Sequence, residues 1–205
     1  MKILGKAMRV AVDHRETILQ TAAKLFARKP FHEVLMDDVA DQAGVAKGTL
    51  YRHFENKDDL FGALSMRYLE MLGVELGKIE AQVVVPLNRI EAMLVRLVEL
   101  IREHNDFFQV MQRHESTLWA GHGTEFLARR NVMRDCFIRA IRAAESAGEL
   151  ALPFDATYAA DMLLGMMRNL LRFSTPPPSP QEMARMILHV FVRGLHAGRD
   201  VGGAT

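Results

Sequence analysis

A chain of 205 residues, 49% hydrophobic and 25% charged, is ordinary for a globular protein and long enough to bury a real core in one domain or two small ones. Charges interrupt every apolar stretch within a few residues, excluding a transmembrane helix, and Met1-Lys2-Ile3-Leu4-Gly5-Lys6 lacks the apolar run of a secretory signal. The net charge of +1 conceals an uneven distribution: Lys2, Lys6 and Arg9 stand unopposed in residues 1–12, and Lys47, Arg52 and Lys57 face only Glu55 in residues 45–57.

Helical periodicity dominates, since the single β-branched run, Val83-Val84-Val85, stops at Pro86. A first helix is predicted from about Asp13 to Arg28, with Ile18, Ala22, Leu25 and Phe26 on one face. Asp13 is its N-cap, Glu16 stands at capping-box spacing, and Pro30 stops it near Lys29. A second, Met36 to Ala43, turns Val39, Ala40 and Ala43 inward and is followed by Gly44, to which a positive φ costs little. A short third helix precedes Asn56, which caps a fourth running from Lys57 towards Val83 with Asp58 and Asp59 in its first turn. Beyond Pro86, amphipathic segments fall at about 87–104, 106–118, 123–147, 155–173 and 180–197. They are separated by Gly121-His122-Gly123, Gly148, Pro153 and the Pro-rich run 175–180.

The most informative stretch is Gly44-Val45-Ala46-Lys47-Gly48-Thr49-Leu50-Tyr51-Arg52-His53-Phe54-Glu55-Asn56-Lys57. Val45, Leu50 and Phe54 can anchor a short helix, while Lys47, Thr49, Tyr51, Arg52, His53 and Lys57 are hydrogen-bond donors. Such a helix suits insertion into the major groove between two phosphate strands.

Together with Val39-Ala40-Asp41-Gln42-Ala43-Gly44-Val45 and the apolar face of the first helix, the segment from Lys47 to Leu60 resembles the tetracycline-repressor (TetR) family of bacterial transcription regulators. The resemblance covers about 30% of the chain. It implies an all-α fold, with an N-terminal three-helix helix-turn-helix DNA-binding domain over residues 1–60, its recognition helix at about 46–54. A C-terminal helical effector-binding and dimerisation domain would occupy 61–205. The chain departs from the family pattern at Lys29-Pro30, where Gly is usual, and at Leu35 and Ala46, where hydroxyl residues often stand. Leu35 cannot accept from the second helix's free amides, a loss of typically ~1 kcal/mol.

By the same resemblance, Lys47 would reach guanine O6 and N7, and Gly48 would let the backbone approach closely. Thr49 would meet a phosphate or a thymine methyl, and Tyr51, His53 and Lys57 would donate to phosphates. Arg52 could serve base or phosphate. Asp37 could accept from cytosine N4 or face solvent. The expected partners are a palindromic double-stranded operator, a small-molecule effector and a second copy of the chain, working in the cytoplasm, with no membrane and no cofactor.

Met162, Leu163, Met166 and Leu170 in one late segment, with Met186, Ile187, Val190 and Phe191 in the next, form apolar stripes wide enough to be split between core and homodimer, the alternative being that both serve the subunit's own core. Phe107, Phe108, Met111, Trp119, Phe126, Met133 and Phe137 are candidates for an effector wall, with His104, Arg113 and His114 as polar groups, and they favour an apolar or aromatic ligand. Cys136 alone allows no internal disulfide and reads as a small buried side chain. His104, His114 and His122 lack metal-ligand spacing, and no GxSxG or phosphate-cradling loop is present, so neither a metal site nor an enzyme is expected. The alternative is a helical small-molecule carrier or interaction module of the same fold without a DNA-binding role.

Overall fold

The computed structural model describes residues 13–196, with side chains over the same span apart from 106, 115–122 and 194–196. The described residues form nine α-helices and no strand: α1 His14–Arg28, α2 Met36–Ala43, α3 Lys47–His53, α4 Lys57–Gln82, α5 Pro86–Glu103, α6 Asn105–Arg113, α7 Glu115–Ser146, α8 Ala156–Phe173 and α9 Pro180–His196. A single 3-10 turn, Phe31–Glu33, follows α1. The expected all-α class is what the chain adopts. The described residues form two compact units, one of residues 13–65 with Asp106–Gly123, the other of Met66–Asn105 with residues 124–196.

In the first unit, local chemistry sets the helix ends. The Arg15 and Glu16 amides donate to Asp13 Oδ1 at 3.0 and 3.3 Å, and the Asp59 amide donates to Asn56 Oδ1 at 2.9 Å. The Asp59 carboxylate in turn accepts from the Glu55 amide at 3.0 Å. As expected, Leu35 gives α2 no side-chain cap. Ile18, Leu19, Ala22, Leu25 and Phe26 of α1 are buried with Val39, Ala40, Leu50 and Phe54.

An aromatic cluster lies in the same unit. Phe61 meets Phe26 and Phe31 edge-on at 5.2 and 5.1 Å, and Phe31 stacks on Phe26 at 5.5 Å. Phe107 lies 5.9 Å from Phe61. His114 sits 4.4 Å from Phe31 and presents an edge to Phe61 at 6.1 Å. Burial, and then the Arg113 charge, hold its imidazole below the usual histidine range, with Lys57 and His32 adding to this and Asp58 opposing it.

The folded pKa lies below the unfolded value of about 6.5, so this contribution is complete above that pH. It is lost as pH falls, because the unfolded chain takes up a proton that the folded chain resists. Melting temperature is therefore expected to drop less between pH 7 and pH 5 in His114→Phe than in wild type. Equal drops would remove His114 from the acid sensitivity.

In the second unit, α5 packs against α9, and α9 against α8. The core holds Ile90, Met93, Leu94 and Leu97 of α5, Phe137 and Ile141 of α7, Leu163 of α8 and Met183 and Ile187 of α9. Pro86 is the first residue of α5, where its missing N–H costs nothing, and the next amide, Leu87, donates to Glu149 Oε2 at 2.9 Å. Ser179 and Glu182 form a reciprocal capping box at the start of α9.

One expected boundary is corrected. Gly121-His122-Gly123 does not separate two helices, because α7 runs unbroken from Glu115 to Ser146 and the break falls earlier, at His114. Glycine weakens a helix by roughly 1 kcal/mol but keeps its N–H, so two glycines inside a long helix lower its stability without ending it.

Candidate nucleic-acid interface

Gly44 sets the angle between α2 and α3. Its φ of 66° lies in the left-handed region, with its amide 3.2 Å from the Asp41 carbonyl, and the Val45 amide donates to the Ala40 carbonyl at 3.0 Å. A side chain here would strain the turn regardless of space. Three residues therefore carry the chain from one helix into the next.

Helix α3 is held by very few residues. Leu50 is fully buried and Phe54 nearly so, with the Arg15 guanidinium 5.4 Å from the Phe54 ring. The opposite face is open: Lys47, Gly48, Tyr51 and Arg52 are exposed, Tyr51 by 50%, while Thr49 and His53 are half-buried. Among the described residues, a Cβ built on Gly48 would meet no atom within 4 Å, so no packing among them requires glycine there.

Two lysines are already engaged. Lys47 Nζ lies 2.6 Å from Asp37 Oδ2, joining the first turn of α2 to the start of α3, and this pairing holds the amine above its ordinary range. Lys57 Nζ donates to the Phe31 carbonyl at 2.8 Å and the His32 carbonyl at 3.4 Å, and stands 4.6 Å over the Phe31 ring. It ties the 3-10 turn to the start of α4. Neither arrangement was visible in the helix pattern. The signal available for the first was an acid and a base ten residues apart across a turn fixed by Gly44. The second joins a side chain to main-chain atoms 26 residues away, and side-chain patterning carries no such signal.

The effector candidates fall into both units. In the first, Phe107 and Phe108 are buried 6.2 Å apart, Met111 is half-buried, Arg113 is exposed and His114 lies on Phe31. In the second, Phe126 and Phe137 are buried and Met133 half-buried. There His104 packs edge-on against Tyr68 at 4.9 Å, its Nδ1 3.5 Å from the phenol oxygen. Trp119 lies outside the described side chains, and Lys2, Lys6 and Arg9 outside the described residues.

The late apolar stripes divide. Leu163, Ile187 and Phe191 are buried in their own unit, and Met166 and Leu170 are half-buried. Met162, Met186 and Val190 are 50–60% exposed, alongside Tyr158 and Phe173. Among the described residues, no helix is long and apolar enough to cross a membrane, and no three His, Cys, Asp or Glu residues are grouped to hold a metal ion.

A capped three-helix body presenting a short, donor-rich helix after a glycine turn defines a helix-turn-helix DNA-binding regulator. Comparison with known proteins gives the family. Residues 18–64 match the model for bacterial regulatory proteins of the tetR family, and residues 84–195, over half the chain, match the tetracyclin repressor-like C-terminal domain. The chain is 30% identical over 172 residues to the HTH-type transcriptional repressor BepR of Brucella suis, covering 78% of this chain and 80% of that one. The TetR-family regulator PfmR of Thermus thermophilus superposes with a TM-score of 0.71 at 25% identity, over 87% of this chain and 98% of its own. The regulator FadR of Bacillus subtilis, solved with stearoyl-CoA, shares the fold at 16% identity, with a TM-score of 0.74 over 88% of this chain and 99% of its own. The chain belongs to the TetR family of bacterial transcriptional regulators.

Proposed function

We propose that this regulator is a repressor that binds a palindromic operator as a homodimer and leaves it when a small apolar or aromatic molecule binds. Residues 1–60 would read DNA, and residues 61–205 would hold the ligand and the partner subunit, in the cytoplasm where the operator lies. The observation that carries this reading is the outward face of α3, where Lys47, Tyr51 and Arg52 are exposed beside a glycine that no packing among the described residues requires. A carrier or interaction module of the same fold would have no use for that face.

In this reading α3 enters the major groove, Lys47 and Gly48 approach base edges, and Tyr51, His53 and Thr49 fix register on phosphates. Arg52, exposed on the same helix, adds a cation for base or phosphate. Lys57 supports the site by holding the 3-10 turn, with its remaining donor capacity directed to phosphate. The exposed remainder of the late stripes, Met162, Met186 and Val190, pairs with the same face of a second subunit. A ligand releases DNA only to the extent that its affinities for the bound and released conformations differ.

The test is selection of bound duplexes from a random pool, with Tyr51→Ala/Arg52→Ala as the control. Both control residues are exposed, so the fold is retained. Wild type is expected to enrich a palindrome with half-sites about 34–36 Å apart, or a multiple. With about four cations placed on the duplex, affinity should fall roughly a hundredfold between about 50 and 200 mM salt. Enrichment of no sequence at low salt would overturn the reading.

Gly48→Ala separates DNA contact from folding. Alanine removes a helix penalty of roughly 0.5–1 kcal/mol and meets open space, so melting temperature should rise. Operator affinity should fall, because the methyl group stands where the backbone meets DNA. A variant that is both more stable and binds as tightly would show that α3 does not approach DNA at this residue.

A further inference from the structure

The ion pair between Asp37 and Lys47 faces outward beside Gly48, on the surface that reads DNA if the repressor reading holds, and the inference rests on that reading. A lysine held 2.6 Å from a carboxylate is poorly arranged for a phosphate, since the carboxylate would be driven against a like charge. It is well arranged for a base edge. Lysine carries three N–H donors, and one is spent on Asp37. The remaining two match the N7 and O6 acceptors of guanine. Asp37 keeps lone pairs free to accept from the cytosine N4 amino group, which lies about 2.9 Å from that O6 because the two are hydrogen-bonded within the base pair. The spacing of the protein pair thus matches the spacing of acceptor and donor on G·C. On an A·T pair the only donor, adenine N6, lies between two acceptors, so a carboxylate meeting it is pressed against thymine O4.

We infer that Asp37 and Lys47 act as one reading unit, selecting a single G·C pair in each half-site. Lys47 supplies the donors. Asp37 accepts from the cytosine and, by holding the ammonium, positions Lys47 on the guanine rather than on a phosphate.

The test uses the full chain and the operator recovered by selection, with each base pair of the half-site replaced in turn, and measures affinity for wild type, Asp37→Asn, Lys47→Gln and the double variant. Wild type should lose about tenfold or more when one particular G·C becomes A·T. Each single variant should flatten the preference at that same pair, and the double variant should flatten it no further. Asp37→Asn should also bind mismatched duplexes more tightly, with a salt dependence steeper by about one charge, because Lys47 is released to phosphates. Asp37→Glu keeps the charge and shifts the carboxylate by one methylene, so it should weaken the preference without changing the salt dependence. Melting curves establish that the variants fold.

If Asp37→Asn tightens every duplex alike and keeps the full preference, the pair is only a solvated contact and the inference fails. It fails equally if the two single variants relax different base pairs. Both results leave the regulator reading intact, whereas a wild-type protein that enriches no sequence overturns both.

Discussion

Phe61→Ala is expected to lower the melting temperature of the first unit by on the order of 20 °C and to abolish operator binding. Phe61 has no exposed surface and touches the rings of Phe26, Phe31, Phe107 and His114 at 5.1–6.1 Å. Truncation of a buried phenylalanine costs about 3–5 kcal/mol, and each lost aromatic pair adds roughly 0.5–1.5 kcal/mol. Small domains have only about 5–15 kcal/mol in total, and for a unit this size each kcal/mol is worth about 4–8 °C. Phe61→Leu keeps most of the volume and should lose less than half as much. The measurement is circular dichroism during heating, beside anisotropy on the operator. A shift below about 5 °C for Phe61→Ala would mean that the cluster is not what stabilises this unit.

The second large effect is expected from Met162→Glu combined with Met186→Glu. Both methionines are at least half exposed within their own subunit, so carboxylates there leave its fold intact. In an isologous interface each substitution occurs on both sides of the two-fold axis, and four carboxylates would be desolvated at once. An uncompensated buried charge costs several kcal/mol, which is more than most dimers of this size can absorb. Light scattering should report a monomer, and operator affinity should fall by more than a hundredfold as one half-site is lost. A variant that remains dimeric would place the subunit contact elsewhere on the chain.

Much of the first unit was legible because its signals are local. Asp13, Gly44 and Asn56 act within four residues of themselves, through hydrogen bonds that their side chains or backbone freedom make possible. Leu35 likewise announced a missing cap. What sequence did not reveal lies between residues distant along the chain. The Lys57 ammonium was expected on a phosphate, and its bonds to the Phe31 and His32 carbonyls arise only once the 3-10 turn folds against the start of α4. The continuity of α7 was missed for another reason. Glycine closes a helix readily where the backbone turns into the left-handed region, as at Gly44 and Gly148, but Gly121 and Gly123 lie inside α7, and composition alone does not tell the two cases apart. The late stripes were too wide for periodicity to divide, and burial was needed to separate Leu163, Ile187 and Phe191 from Met162, Met186 and Val190.

The state of Cys136 has a practical consequence. Its side chain is 2% exposed, burial raises the thiol above its ordinary range, and its sulfur accepts from Arg139 Nη2 at 3.3 Å. Thiolate is the reactive form, so the folded protein offers a labelling reagent almost nothing to attack. Cys136 is the only cysteine in the chain. Its rate of alkylation therefore serves as a clock for the opening of the second unit. A fluorophore attached through a cysteine introduced at Arg52 would report on the recognition helix without competition from the native thiol.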